Sequence, residues 1–297
     1  MLAINSGIKI VATILAKNEE DIIGQMIEHH LSQGVSQIIF TDNNSTDNTR
    51  SIVEKFPEVV EIIDEKDDAF HQSKWVTRMA KMTCKLDPDW VIHLDADEFW
   101  GGLHNLRSMQ CDSVSSEAMY LHPPTEEFSL NNMRFYLDFD KLPIPQESKI
   151  AHRPDPNIEI LHGNHGIAGK NCTSTKKIYR HHFPIRSFSQ WKSKASGHLS
   201  LVKTNSTCVR WENWYNSASQ EEYSKITNLW NSFCVNQNKD DFISLIRYWS
   251  TDEMVNLFET NDMMPIIGEW PKERNEEQSR FNQRFRRNFS QNHSLSI

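Results

Sequence analysis

Apolar positions in the first hundred residues change their period repeatedly. Lys9 to Leu15 reads KIVATIL, a β-branched run suited to a buried strand, and polar KNEED follows at once. Ile23, Met26, Ile27, His30 and Leu31 then recur at helical spacing, and Gly34 closes the segment. VSQIIFTD predicts a second strand, DNNSTDNT a turn, TRSIVEKF a helix stopped by Pro57, and VVEIID a third strand. Lys74 to Leu86, with Trp75, Met79, Met82 and Cys84 among Arg78, Lys81 and Lys85, predicts a helix before the Pro88 turn and the strand WVIHLDAD. Strands alternating with helices predict βαβ crossovers: an α/β protein with a mostly parallel sheet covered on both faces.

From Gly101 to Gly169 the pattern loosens, with AMYLHP and IEILHG suggesting extra strands between long loops; beyond Ser187 the chain reads as helical and rich in Trp and Phe. The ligand site of such a sheet lies at the carboxyl ends of its strands. Asp42, Asp64 and the pair Asp95 and Asp97 each follow a strand, so all are expected along one edge. An apolar run that ends in DADE has no structural use for so much like charge, and something positive is expected there.

Composition adds limits. With 297 residues the chain is long enough for one large domain or a domain with an appendage. A net charge of -8 argues against a general nucleic-acid binder. The five cysteines are scattered and form no CxxC pair, which predicts reduced buried thiols rather than a disulfide framework or a zinc site. No uninterrupted apolar run is long enough to span a bilayer, so a cytoplasmic protein is expected, with peripheral attachment at the inner membrane face left open.

Two Asp side chains in a turn just past a strand, as in DAD, can converge on one hard divalent cation, Mn2+ or Mg2+, that keeps positions free for phosphate oxygens. A lone DxD is more often a solvated turn. DNNSTDNT is no calcium loop, because Asp47 and Val53 stand where Gly and Glu are needed. It reads as a turn with Ser45 or Thr46 as a helix N-cap and Asp47 in the first turn.

Taken in order, ATILAKNEED, DNNSTDNT, the helix with Arg78 and HLDADEF resemble the family 2 glycosyltransferases over roughly residues 8–100. The resemblance implies a GT-A fold, with a nucleotide-binding domain over residues 1–200 and a helical extension over 201–297 packed on it. By position it implies that Ala16, Asn18, Glu19, Asp42, Asn44 and Arg78 border the nucleotide sugar. It further implies Asp95 near the ribose and Asp97 on the metal. Asn43 and Asn44 depart from the family's usual Asp and Gly, and its usual ED pair, the source of the base, has no clear counterpart.

The segments GNHG and HFPIRSFSQWKSK resemble a branch of family 2-like transferases. Arg186, Gln190 and Lys194 are spaced by four, which predicts one cationic helix face beside the leaving diphosphate. His182 is a candidate third metal ligand, with His181 competing. For the base that takes the acceptor proton, His165 and Glu159 are the candidates, with Asp155 behind them. Trp211, Trp214, Trp230, Trp249 and Trp270 in helical segments are more often core than sugar platforms. Phe281, Phe285 and Phe289 among Arg280, Arg284, Arg286 and Arg287 predict a basic amphipathic helix that either packs or lies on a membrane.

The expected activity is inverting, metal-dependent transfer from a nucleoside diphosphate sugar to a glycan or lipid-linked hydroxyl acceptor, in surface polysaccharide or lipooligosaccharide synthesis. Two alternatives stand beside it. A nucleotidyltransferase needs a Gly-rich basic loop after the first strand, where this chain has acidic AKNEED; a sugar-binding module predicts binding without turnover.

Overall fold

The computed structural model describes residues 7–66, 71–121, 135–138, 148–194, 219–246 and 266–269. Its first half follows the periodicity closely. Strand β1 (Ile10–Ala16) is followed by α1 (Ile23–Ser32), β2 (Val35–Asp42), the short α2 (Thr49–Val53), β3 (Val59–Asp64), α3 (Gln72–Thr83) and β4 (Trp90–Asp95). β1 pairs in parallel with β2 and β4, and β2 with β3. β1 is apolar on both faces because both are covered. Ile10, Ala12 and Ile14 join Met26, Ile27 and Phe40 in one core, while Ile39, Val76, Met79 and Ala80 form the other, under α3.

The strand order 3-2-1-4 places the change of direction between β1 and β4. Two chain segments diverge there, which leaves a crevice at their carboxyl ends. Parity along β4 sets what faces it: Trp90, Ile92 and Leu94 enter the α1-side core. Asp95 therefore shares the other face with Val91 and His93.

The sheet continues with strands of which the sequence pattern marked one, AMYL at the end of β6. β5 (Glu98–Gly101), β6 (Ser113–Leu121), β7 (Phe135–Asp138), β8 (Lys149–His152) and β9 (Thr173–His182) follow, then α4 (Gln220–Asn236), α5 (Lys239–Ile246) and β10 (Ile266–Glu269). β8 pairs antiparallel with β4 and β6, and β9 pairs with β5 and β6. The sheet is thus parallel through β1 to β4 and mixed beyond. β10 pairs antiparallel with β7, so the region 201–297 is not purely helical. IEILHG is no strand either; its Ile158 and Ile160 enter the α3-side core, and a tight turn follows at His162–Asn164.

Trp230 is buried in α4, as expected of a core Trp. The other C-terminal tryptophans and the basic amphipathic stretch at 280–289 lie outside the described residues, and no helix among the described residues is long and apolar enough to cross a membrane. Cys84, Cys111 and Cys172 are free thiols but partly exposed, a correction to the expectation of burial.

A buried imidazole pair supports the floor of the crevice. His93 Nε2 and His152 Nε2 lie 2.9 Å apart, Thr13 Oγ1 is 2.7 Å from His93 Nδ1, and His152 Nδ1 is 2.6 Å from the Arg153 carbonyl. A carbonyl only accepts, so His152 carries its proton on Nδ1. His93 then donates from Nε2, and Thr13 donates to its Nδ1. Both rings are neutral, and burial lowers the His152 imidazole from 6.5 to about 4. The unfolded chain binds the extra proton, so this contribution is intact above pH 6.5 and lost as the pH falls toward 4. Urea midpoints are expected to register a loss of roughly 2 kcal/mol by pH 5 from this pair. A His93→Leu/His152→Leu double variant should lack that part of the slope.

Candidate active site

The two loops at the ends of β1 and β2 are knitted together by side chains. Asn18, at φ 55, donates its amide to Ser45 Oγ at 3.1 Å and accepts the Thr46 amide on Oδ1 at 2.7 Å. The Glu19 amide bonds Thr49 Oγ1 at 2.7 Å, and Glu20 accepts from the Asn48 amide at 3.0 Å. Asp47 Oδ1 takes the Thr49 amide at 2.9 Å. The N-cap of α2 is therefore Asn48, not Ser45 or Thr46. Those two hydroxyl residues are drawn across to the β1 loop instead, where they satisfy its strained turn. Buried Asp42 accepts from the Ser45 amide at 2.9 Å beneath Ala16, while Asn44 is exposed.

The acids after β4 divide into two groups with different partners. Asp97, 7% exposed, is 2.9 Å from Lys194 Nζ and 3.6 Å from His182 Nε2. Burial pushes its carboxyl up, but Lys194, then His182 and Arg186, outweigh this and hold it well below the ordinary range. His182 reaches Asp97 because β9 pairs with β5 in the register Glu98↔His182. Alternation along the strand sends His181 the other way, buried against Tyr179.

Asp95 faces Lys149 instead. Its Oδ2 is ion-paired with Lys149 Nζ, and its Oδ1 accepts from Asn164 Nδ2 at 3.1 Å. Lys149 Nζ also lies 3.7 Å from Glu98 and 2.7 Å from the Gly163 carbonyl. Burial disfavours the ammonium, yet Asp95 and Glu98 hold its pKa above the ordinary lysine range. Lys149 and Asn164 were not singled out by the sequence. For Asn164 the GNH turn was a usable signal; Lys149 stands in a stretch that read as loop.

Among the described residues, no three His, Cys, Asp or Glu side chains converge as a metal group. Of the metal candidates Asp95, Asp97 and His182, Asp95 has both oxygens engaged by Lys149 and Asn164. Asp97 with His182 remains an oxygen and nitrogen pair. It fits a divalent cation that leaves most positions to phosphate and water.

Arg186 is not on the helix face predicted for it. It precedes the helical residues 188–194, is 1% exposed, and places its guanidinium on Asp21 at 2.8 and 3.0 Å with Glu19 also ion-paired. Gln190 turns back to accept the Arg186 amide at 3.1 Å, and Ser187 Oγ accepts the Gln190 amide at 3.2 Å. This S-x-x-Q arrangement is close to a capping box, which accounts for the spacing of four without a shared cationic face. Lys194 alone of the three meets the acidic pair. Arg78, partly buried, pairs with Glu65 at 2.5 Å.

The base candidates separate. The His165 ring is exposed, and its Nδ1 is 2.7 Å from the Ser148 carbonyl. Nδ1 therefore carries the proton and Nε2 keeps a free lone pair. Gly163, at φ 72, makes room for that ring: a Cβ there would stand 2.3 Å from His165 Nε2. Glu159 is exposed on an outer groove of about 520 Å³ with Lys74, Lys81 and His162. Asp155 is held by Lys170 at 2.6 Å, which lowers its carboxyl and makes it a poor base.

Since the Arg186 charge lies buried between two carboxylates, Arg186→Leu leaves both uncompensated. A loss of roughly 3–5 kcal/mol in unfolding free energy is expected in urea titrations. Arg186→Lys should recover only part, lacking the second donor for Asp21.

Residues 12–102 match the model described as Glycosyl transferase family 2, a span from β1 to just past β5. Among curated proteins there is no match. Similar solved structures include glucosyl-3-phosphoglycerate synthase from Mycobacterium tuberculosis with Mg2+ and UDP, at 17% identity and a TM-score of 0.29, over 39% of this chain and 45% of that one. Mannosyl-3-phosphoglycerate synthase from Rubrobacter xylanophilus is 21% identical at a TM-score of 0.31, over 40% of this chain and 42% of that one. Each alignment spans less than half of the solved chain, and likeness this distant carries no argument about substrate. The match to Glycosyl transferase family 2 is thus confined to residues 12–102, the segment that holds the loops after β1 and β2 and the DAD turn.

Proposed function

We propose that the protein is a metal-dependent, inverting glycosyltransferase that moves a sugar from a nucleoside diphosphate donor to a hydroxyl acceptor. The observation that supports it best is the setting of Asp97. An ionised, buried carboxylate stands beside His182 and Lys194 at the crevice between β1 and β4, inside the family 2 segment. Asp97 and His182 would hold the cation, which as a Lewis acid offsets charge on the leaving diphosphate. Lys194 adds a fixed ammonium on the same side. The knitted loops carrying Asn18, Glu19 and Asp42 border the nucleoside. Arg186 acts by fixing the β1 loop through Glu19 and Asp21 rather than by touching phosphate.

His165 takes the acceptor proton on Nε2 in this reading. It has the competent tautomer and sits next in sequence to Asn164, which touches Asp95. The acceptor is a glycan or lipid-linked hydroxyl of a surface polysaccharide or lipooligosaccharide pathway.

A ligand that binds only the native state raises the melting temperature, by about 5 °C at a hundredfold excess over Kd for a chain of this size. A panel of UDP, GDP, ADP, CDP and dTDP, each with Mn2+ and with EDTA, should give a Mn2+-dependent shift with one base. Asp97→Asn should abolish that shift, and its persistence would remove Asp97 from the metal. No shift with any member, from folded wild type, defeats the donor-site reading.

His165→Ala is expected to lower kcat by about 10²–10⁴-fold with nucleotide affinity unchanged. Full turnover in that variant would exclude His165 as the base. Binding without turnover in the wild type, across donors and acceptors, would make this a binding module.

A further inference from the structure

Lys149 is a buried cation of the crevice that belongs to no part of the reaction described above. It comes from β8, outside the family 2 segment, and is 4% exposed. Its Nζ reaches three separate chain elements: Asp95 at the end of β4, Glu98 in β5 and the Gly163 carbonyl in the turn before His165. The next residue of that turn, Asn164, is 2% exposed and closes the ring by donating Nδ2 to the other oxygen of Asp95.

The turn is costly without such a tie. Gly163 at φ 72 and Asn164 at φ 60 are consecutive left-handed residues, and its described internal bonds are the Asn164 amide to Leu161 at 3.1 Å and the Leu161 amide to Gly166 at 3.0 Å. Gln72 Oε1 on the Gly163 amide at 2.9 Å anchors it to α3, but only Lys149 and Asn164 anchor it to the acid.

We infer that Lys149 is a positioning residue: it fixes the Asp95 carboxylate and the turn that presents His165 relative to each other, so that the donor-side acid and the acceptor-side imidazole keep one geometry. With both oxygens held, Asp95 keeps a single orientation and offers only its remaining lone pairs, suited to a donor hydroxyl. Asp97 is left to the cation. This division rests on the donor-site reading above, whereas the tie between Lys149 and the turn does not.

The test therefore has one arm without ligand and one with it. In amide hydrogen exchange of the apo protein, Lys149→Met should lower protection of residues 161–166 at least tenfold. Protection in β1 and β2 should stay at the wild-type level. In the second arm, the nucleoside diphosphate that wild type binds with Mn2+ should lose about tenfold or more in affinity to Lys149→Met. Lys149→Arg should recover part of it, which a loss confined to folding would not produce.

Should Lys149→Met fail to fold, Asn164→Gly removes the other tie. Gly accepts the left-handed backbone and leaves no buried charge uncompensated, and the same two changes are expected at smaller size. Unaltered protection of 161–166 in the folded variants overturns the inference. So does unaltered affinity for a nucleotide that wild type binds. If wild type binds none of the panel, the donor-site reading falls while the exchange arm still decides the role of Lys149.

Discussion

The structure depends on charge compensation at the carboxyl ends of β1 and β4. Glu19, Asp21, Asp95, Asp97 and Glu98 gather there, and Asp97 and Glu98 are almost wholly buried. So many like charges in a poorly hydrated crevice repel one another and have lost much of their water. Lys149, Arg180, Arg186 and Lys194 offset this, and all four come from beyond residues 12–102, the stretch that matches the family 2 model. The first half of the chain thus supplies an acidic edge that is tolerable only once the second half has folded over it. The apolar run that ends in DADE expects something positive, and the protein itself provides it.

Compensation is uneven, and the unevenness separates the two Asp residues of the DAD turn. Asp95 is held on both oxygens by groups from β8 and the GNH turn, which fixes it in one orientation. Asp97 meets one ammonium and one imidazole, partners that a cation can join or replace. A pair that reads as symmetric along the chain is therefore asymmetric in space. Arg186 is a clamp on the β1 loop, because two carboxylates surround it and its burial leaves little room for a ligand.

Strands β1 to β4 and helices α1 and α3 were legible within three residues at each end, since each has its own period and its own stop. Of the strands after the DAD turn, the end of β6 was legible as AMYL and the others were not. Glu98 to Gly101 is only four residues long, and the charge of Glu98 hides a run whose Phe99 and Trp100 are fully buried. β9 carries Lys176, Lys177 and Arg180 and does not look like core, yet its inner residues Ile178 and Arg180 are buried. IEILHG misled in the other direction. Its apolar residues pack under α3 from an irregular segment, and alternation cannot distinguish that from a strand.

By itself the sequence determined the order of strands and helices and the placing of acids at strand ends. Both are local: they follow from periods of two and 3.6 and from residues a few positions apart. Only the tertiary structure decided which cation meets which acid. Lys149 and Asp95 are 54 residues apart in the chain, Lys194 and Asp97 are 97 apart, and Arg186 is 165 from Asp21. No local pattern encodes such pairings. They follow from sheet register, which sends His182 to Asp97 and His181 into the core, and from burial, which makes each acid take the cation that the fold brings within reach.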